Sequence, residues 1–496
     1  MLRPAGLLGT KAGKKGPGLR MARPAYVVCC FLLVLVAASA LQCCRRASDD
    51  SVEAPPAQDI ADLAFEPGEY FRLEEENGRW WFVTPDGEPF LSIGVNHVTW
   101  HGCTGKVTGE RPYEEAVLAK YGTPEAWAET VCERLENWGF NTIGAWSVEE
   151  VNPYLPRTPI LNLSRSFWFN CWDEKGLMPD FYSSEFKDFV EDRAQTVEEH
   201  VGDPMIVGYF LDNELPWAPD HNHLPELFDG YVAMPADAPG KQQFAAFMKE
   251  RYETVEAFNK VWKPRVEDWS KLAELTEISA RRKKKAKADR EAFTLEIARQ
   301  YFNVTTEAVR KRDPGRLVLG CRFMPYTVPK AVVQACGEYC DVISINYYET
   351  LFLGRLYFWW QGSKIDRMPQ TMNLDAYYDV GKRPLMVTEF TSRLKKEGHN
   401  TWPPPYAAQP VVKTEEKRAA RYEKQVMSWL PKPWFVGVHW FEHADQPKEG
   451  RAGDGENSVF GLVNIKDEPY DFFVKRVAET NQKAWKVHAV STPPVK

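Results

Sequence analysis

The sequence predicts an α/β fold, a (β/α)8 TIM barrel with an N-terminal β-hairpin and a helical insertion after the fourth strand. Apolar runs of strand length alternate along the chain with helical stretches, as a parallel barrel requires. The run 205–211 is followed by the polar triplet Asp212-Asn213-Glu214, and the run 384–388 is followed by Glu389. A chain of 496 residues that is 44% hydrophobic can bury a core of this size.

The predicted elements follow in order. A hairpin is expected at 65–88, where Asn77-Gly78 separates two extended runs, and we expect it to cover the bottom of the barrel. Helical sequence at 124–138 and 184–201 separates early strands, and an insertion at about 216–313 is expected to shape the rim of a cleft. The barrel is assigned to residues 89–488, followed by a tail at 489–496. Its eight strands are predicted at 89–96, 141–146, 160–163, 205–211, 316–322, 341–348, 384–391 and 435–441.

Residues 1–40 have the pattern of a targeting segment. Basic residues precede an apolar run at 25–41, which contains the cleavage-type sequence Ala38-Ser39-Ala40. The chain is therefore expected to be exported to the periplasm, the cell surface or the medium. An uncleaved signal anchor, attached to the membrane, is the alternative, because the run is borderline in length for a span. Cys43 follows Gln42, which fits a lipoprotein signal poorly, and residues 41–64 are expected to form a linker.

Composition excludes some functions. The net charge of -7 is mild, and the one dense basic run, 281–285 with Lys287, is predicted to be a solvated helix face, so no nucleic-acid partner is expected. Aromatic residues make up 13% of the chain, which fits a carbohydrate cleft because sugars stack on rings; a large aromatic core is the alternative. Six of the ten cysteines lie beyond the leader without metal or disulfide-framework spacing.

Glu214 and Glu389 are predicted to share one site, because the C-terminal ends of barrel strands meet at the mouth. Either one alone could be an ordinary solvated charge. Asn213-Glu214 after strand four, Glu389 in Val-Thr-Glu-Phe after strand seven and Trp440 on strand eight resemble clan A of the retaining glycoside hydrolases. Over 71–96, 203–217, 384–391 and 435–470 the chain resembles more narrowly the β-agarase and β-galactosidase-like members of that clan.

The resemblance implies hydrolysis of β-linked, galactose-containing and agarose-like poly- or oligosaccharides by double displacement, with no metal or cofactor. Glu214 would be the acid/base and Glu389 the nucleophile, with Glu214 held protonated and Glu389 ionised. Asn213 would bind a sugar hydroxyl, and Trp440 would form the subsite floor. Either Tyr347 or Tyr348 would orient the nucleophile, since alternation lets only one face the cleft. The other predicted substrate-binding residues at strand ends are Asn96, His97, Trp146 and Trp217. Beyond strand eight, four residues are predicted to contact sugar or to fix that loop: Glu442, His443, Glu456 and Asn457.

Two alternatives belong to other classes. The first is a metal-dependent barrel hydrolase, because three histidine pairs could supply metal ligands: His97/His101, His221/His223 and His439/His443. Two of the pairs are four residues apart in strand-to-loop sequence, where that spacing does not align side chains. A non-catalytic carbohydrate-binding barrel is the second alternative, but such a barrel would have no chemical need of both glutamates.

Overall fold

The structure is a computed structural model and describes residues 63–175, 178–217, 225–325, 328–349, 364–368, 374–401 and 410–490. The predicted targeting segment, nearly all of the linker, and His221 and His223 lie outside these residues. Across the described part of the chain, no helix combines the length and the apolar character that a membrane span needs. The linker assignment likewise stays a prediction.

The N-terminal hairpin forms where the sequence predicts it. Strands β1 (Arg72–Glu76) and β2 (Arg79–Val83) pair antiparallel around Asn77 and Gly78, whose φ angles of 54° and 74° suit a tight two-residue turn. The predicted first barrel strand at 89–96 is divided in the structure. Its beginning, β3 (Pro89–Phe90), pairs antiparallel with β2, and only β4 (Ser92–Val95) enters the parallel sheet.

Parallel pairings join eight segments in a closed order. The longest run is a five-stranded sheet whose order is β10 (Ile343–Asn346), β11 (Leu385–Phe390), β14 (Phe435–Trp440), β4 and β5 (Thr142–Ile143). Strand β6 (Gly208–Tyr209) pairs with β9 (Leu317–Val318). Bridges at Arg157 and Ile160 connect β5 to β6 through a short third segment, and the bridge Phe323–Ile345 connects the β9 segment to β10. This is the pairing order that a (β/α)8 barrel needs. The strands that follow β4 are β5 (Thr142–Ile143), β6 (Gly208–Tyr209), β7 (Trp262–Lys263), β8 (Ser279–Ala280), β9 (Leu317–Val318), β10 (Ile343–Asn346), β11 (Leu385–Phe390), β12 (Arg393–Leu394), β13 (Val411–Val412) and β14 (Phe435–Trp440).

Helices surround this ring. They are α1 (Pro112–Tyr121), α2 (Pro124–Asn137), α3 (Arg165–Lys175), α4 (Ser184–Arg193), α5 (Leu227–Ala233), α6 (Pro239–Tyr252), α7 (Val255–Asn259), α8 (Lys283–Arg312), α9 (Lys330–Tyr339), α10 (Leu374–Gly381), α11 (Glu415–Trp429) and α12 (Asp471–Val490). The helix predicted at 184–201 is α4 followed by a 3-10 turn at Ala194–His200. The basic run at 281–285 is exposed at the start of α8, as predicted.

The long insertion is shorter than predicted. Helix α8 lies within the predicted range of 216–313, but Tyr301 on this helix donates to Asp212 beside strand four (2.7 Å), so α8 packs on the barrel wall. Helices α5 to α7 and the β7–β8 hairpin, at 227–280, are the part that departs from the barrel pattern.

The hairpin closes one end of the barrel. A buried apolar cluster combines Phe71, Phe82 and Phe90 of the hairpin sheet with side chains from the early part of the barrel strands, among them Val207 and Val436. Helix α12 also packs here, since Trp485 stacks on Trp81 with ring centroids 6.0 Å apart. This closed end is the bottom, so the opposite end, where the strands finish, is the mouth.

Candidate active site

Glu214 lies at the mouth, just after β6. Its carboxyl accepts a hydrogen bond from the Asn346 side chain at 3.0 Å, and the same amide donates to Asn213 at 3.0 Å. Burial raises the pKa of Glu214 to about 7, the nearby Glu389 carboxylate adds to the increase, and the Asn346 hydrogen bond opposes it. Glu214 therefore has the environment of a carboxyl group that can carry a proton near neutrality.

Glu389 is 4% exposed, at the end of β11, in register with Asn346 of β10. One of its carboxylate oxygens accepts from the buried Arg322 guanidinium and the other from the Tyr348 hydroxyl. Burial raises its pKa as well, but the positive charge of Arg322 and the Tyr348 hydrogen bond counteract the increase.

The two carboxyl groups thus differ in their partners. Glu389 contacts a cation and a hydroxyl donor, whereas Glu214 contacts a neutral amide. When one negative charge has to be shared between neighbouring carboxyl groups, it is more stable on the one beside the cation. The geometry therefore favours a protonated Glu214 and an ionised Glu389, as the sequence analysis predicts.

Four residues at strand ends have left-handed backbone conformations. The φ angles are 57° at His97, 58° at Trp146, 49° at Glu214 and 49° at Arg322. A residue with a side chain in this region costs roughly 1–3 kcal/mol, and such residues concentrate at functional sites. They follow strands one, two, four and five, so this less favourable backbone lies at the same end of the barrel as Glu214 and Glu389.

Tyr348 is the tyrosine that contacts the nucleophile candidate. The neighbouring Tyr347 points the other way and packs on Trp429 of α11, with ring centroids 4.7 Å apart. The prediction that only one of the two faces the cleft is confirmed. Asn213 is also at the site: its Oδ1 accepts from Asn346, and among the described residues its Nδ2 has no hydrogen-bond partner. That nitrogen is free to donate to a ligand.

Two tryptophans predicted to bind substrate are core residues instead. Trp440 is fully buried, its indole donates to the Phe460 carbonyl (3.0 Å), and its ring packs on Tyr422 and Phe473 of α11 and α12. It lies between strand and helices, because His439 occupies the inward face and successive side chains on a strand alternate. Trp217 is buried against aromatic rings of α3 and α8. Both substrate-binding predictions are wrong.

Asn96 is likewise not a contact residue. It is fully buried, its Nδ2 donates to the Thr388 and Trp440 carbonyls, and its Oδ1 accepts from the Ala145 backbone and from Arg322. The prediction that Asn96 binds substrate is therefore wrong. It joins strands one, two and eight to the segment that presents Glu389. By contrast, His97 and Trp146 remain partly exposed at the mouth, where the Trp146 ring lies 4.3 Å from the Arg322 guanidinium.

The predicted residues beyond strand eight take different roles. Asn457 holds its own loop, since its side chain donates to Gly398, Thr401 and Lys448. His443 is fully buried and packs on aromatic rings of α1 and α2, away from the mouth. Glu442 is buried and contacts His97. Burial raises the pKa of Glu456 to about 7 in the same region, against the opposing effect of Arg451.

Within the ranges that the structure describes, the pairs His97/His101 and His439/His443 do not assemble a shared metal centre. His439 bonds to Ser92 inside the barrel (2.8 Å), whereas His443 lies outside it. His101 donates to the adjacent Gly102 carbonyl (2.8 Å), away from His97. In the described part of the chain, one group of three metal-capable side chains occurs: His97, Cys103 and Glu442. Among the described cysteines, Cys103, Cys132, Cys321, Cys336 and Cys340 are free.

Sequence reasoning missed Arg322, Asn346 and Thr388. Arg322 contacts Glu389, Asn346 contacts Glu214, and Thr388 donates its hydroxyl to Asn346 at 2.9 Å. Arg322 ends the predicted fifth strand, and Asn346 ends β10, the observed sixth strand. A polar residue that ends an apolar barrel strand is the signal that could have identified both of them.

Comparison with known proteins supports the fold and the class of protein. The profile of glycoside hydrolase family 42, described as β-galactosidase, matches residues 179–410. The chain is 25% identical over 493 residues to β-agarase B of Vibrio sp. (strain JT0107), which covers 84% of this chain and 48% of that protein. Among solved structures, an exo-β-agarase is 23% identical with a TM-score of 0.71, covering 87% of this chain and 68% of that one. An agarase is 22% identical with a TM-score of 0.70, covering 86% and 66%.

These similarities define what the chain resembles. The fold is that of the solved agarases, and the sequence resembles the β-agarases and β-galactosidases among clan A glycoside hydrolases. The chain spans about half the length of the curated relatives it matches.

Proposed function

We propose that this chain is a retaining β-glycosidase that hydrolyses β-linked sugars by double displacement. The observation that carries the proposal is the contrast between two neighbouring carboxyl groups. Glu214, with a pKa of about 7, contacts an amide, whereas Glu389 contacts Arg322 and Tyr348. One site therefore offers both a proton donor and a carboxylate, which are the two groups that the reaction needs.

The reaction would proceed in two steps. First, Glu389 attacks the anomeric carbon while Glu214 gives its proton to the departing glycosidic oxygen, which forms a glycosyl ester and releases the first product. Second, Glu214 takes a proton from water, the water oxygen attacks the anomeric carbon, and the ester bond to Glu389 breaks. Two inversions leave the configuration at that carbon unchanged. Arg322 and Tyr348 hold Glu389 in place throughout.

The substrate we propose is a β-linked, galactose-containing poly- or oligosaccharide such as agarose. The names of the relatives, β-agarases and β-galactosidases, support this class. The amide nitrogen of Asn213, which has no hydrogen-bond partner in the described part of the chain, is available for the hydroxyl next to the anomeric centre. Such hydrogen bonds strengthen as the transition state forms. His97 and Trp146, both partly exposed, would line the same cleft.

Hydrolysis of a panel of β-linked polysaccharides and aryl β-glycosides, agarose included, tests the proposal. We expect one substrate to be cleaved with retained configuration, and Glu389→Ala and Glu214→Ala each to lower kcat/KM at least about a thousandfold. Glu185→Ala, on the exposed start of α4, is the matched control and should retain activity. Substantial activity in Glu389→Ala, or products of inverted configuration, would contradict the mechanism.

We also propose that the chain is exported. The support is the sequence pattern of residues 1–40, with a basic region, an apolar run and Ala38-Ser39-Ala40. Expression of the full chain, followed by fractionation and N-terminal sequencing, tests this. A mature protein that begins near Leu41 outside the cytoplasm is expected. An intact N-terminus in the membrane fraction would show an anchor instead, and intact protein in the cytoplasm would refute export.

A further inference from the structure

Three side chains of different chemistry meet on the strand-one side of the mouth. His97 follows β4, Cys103 lies six residues later, and Glu442 follows β14. One ligand atom from each lies within 4.8 Å of the other two. The proposed glycosidase reaction uses none of the three as an acid, base or nucleophile, so their convergence needs another explanation.

Glu442 supplies the second observation. It is 1% exposed, one carboxylate oxygen contacts His97 Nδ1, and Oε1 has no partner among the described residues. A buried carboxylate oxygen without a donor is costly. A cation placed between the three side chains would give Glu442 Oε1 a partner. It would also replace the proton between Glu442 and His97.

The surrounding charges favour a cation as well. The groups that act electrostatically on Cys103 are three carboxylates, Glu442, Glu456 and Asp454, and one guanidinium, Arg451. Arg451 is already engaged, with contacts to Asp454 at 2.8 Å and to Glu456 at 3.1 Å. Because Arg451 pairs with Asp454 and Glu456, Glu442 is the carboxylate of this set without a guanidinium partner among the described residues, and a positive ion beside it would be stabilised.

We propose that His97, Cys103 and Glu442 bind a borderline-soft divalent metal ion of the zinc class. Imidazole nitrogen, thiolate sulfur and carboxylate oxygen are the ligands that zinc takes, with bonds of about 2.0–2.3 Å. Magnesium and calcium are excluded because they require oxygen ligands. Three protein ligands leave the fourth position of a tetrahedral site for water. This site shares His97 with the proposed substrate cleft, but metal binding can be measured whether or not the glycosidase proposal holds.

Metal binding to the full chain tests this proposal. After treatment with a chelator and buffer exchange, the protein is titrated with Zn²⁺ by calorimetry and with Co²⁺ by absorption spectroscopy. We expect one Zn²⁺ per chain and a thiolate-to-cobalt absorption band. His97→Ala should weaken Zn²⁺ binding at least about a hundredfold, and Cys103→Ser should abolish the band. The controls are His101→Ala, which removes a nearby histidine, and Cys171→Ser, which removes a cysteine on α3. Both should leave the Zn²⁺ affinity and the cobalt band unchanged.

A measurement on the unaltered chain guards against misfolded variants. Zn²⁺ should protect Cys103 from alkylation, detected as the unmodified peptide by mass spectrometry, because a metal-bound thiolate is not free to react. Absence of Zn²⁺ binding, equal affinity in His97→Ala, or alkylation of Cys103 at the same rate with and without Zn²⁺ would each overturn the proposal. In that case His97 and Glu442 form a simple hydrogen-bonded pair.

Discussion

Replacing Glu389 by Gln should lower the pKa of Glu214. The substitution keeps the size of the side chain and removes its charge, which is the second largest cause of the raised pKa after burial. The rise from 4.5 to about 7 corresponds to about 3 kcal/mol. Two carboxylates about 5 Å apart repel each other by less than 1 kcal/mol in water and by about 3 kcal/mol at an effective dielectric constant near 20. Because burial remains the larger cause, we expect the pKa of Glu214 to fall by about one pH unit, or about 1.4 kcal/mol.

Carbon-13 NMR of protein labelled at glutamate carboxyl groups measures this directly. The Glu214 signal is the one that disappears in Glu214→Gln, and its chemical shift is followed from pH 3 to 9. Glu185→Gln, on an exposed helix start, is the control and should leave the Glu214 titration unchanged. A Glu214 pKa near 4.5 in the unaltered protein, or the same pKa with and without the Glu389 charge, would refute the electrostatic coupling and with it the assigned roles.

Three further predictions concern stability. Folding raises the pKa of Glu214, so the wild-type protein loses stability as the pH rises from 4.5 to about 7. Glu214→Gln should lack this loss. The change in its free energy of unfolding between pH 4 and pH 8, measured with urea, should therefore differ from that of wild type by up to about 3 kcal/mol. Trp440→Ala should lower the free energy of unfolding by about 3–5 kcal/mol, and Trp440→Phe should keep KM; a raised KM at unchanged stability would place Trp440 in the cleft after all. Arg322→Met should cost about 3–5 kcal/mol because it leaves Glu389 buried without its cation, and Arg322→Met/Glu389→Leu should recover much of it; wild-type stability of the single variant would contradict the ion pair.

The strands and both glutamates could be predicted because they depend on local pattern. An apolar run of strand length fixes a barrel strand, and the first polar residues after it must lie at the mouth. Asn77-Gly78 predicted the hairpin for the same reason, since only residues that tolerate positive φ fit that turn.

The direction of side chains at strand ends could not be predicted so well. At Trp440 the resemblance indicated the cleft, but inward placement of His439 sends the next side chain toward the helices. Asn96 lies at a strand end, as predicted, but it is buried and does not face the cleft, because its amide joins neighbouring strands. The direction of such side chains depends on contacts between segments that are distant in sequence. Arg322 and Glu389, for example, are 67 positions apart, and a single sequence does not reveal such pairs.

The packing of the N-terminal hairpin and α12 on the bottom of the barrel has a practical consequence. Residues 65–90 and the end of α12 both pack on the face opposite to the mouth, where Trp81 stacks on Trp485 and His488 bonds to the Trp80 carbonyl (3.1 Å). A cysteine handle or biotin label on this face would orient the immobilised domain with its cleft toward the solution. Gel-like or particulate carbohydrate could then be brought to the open end without the support surface in the way.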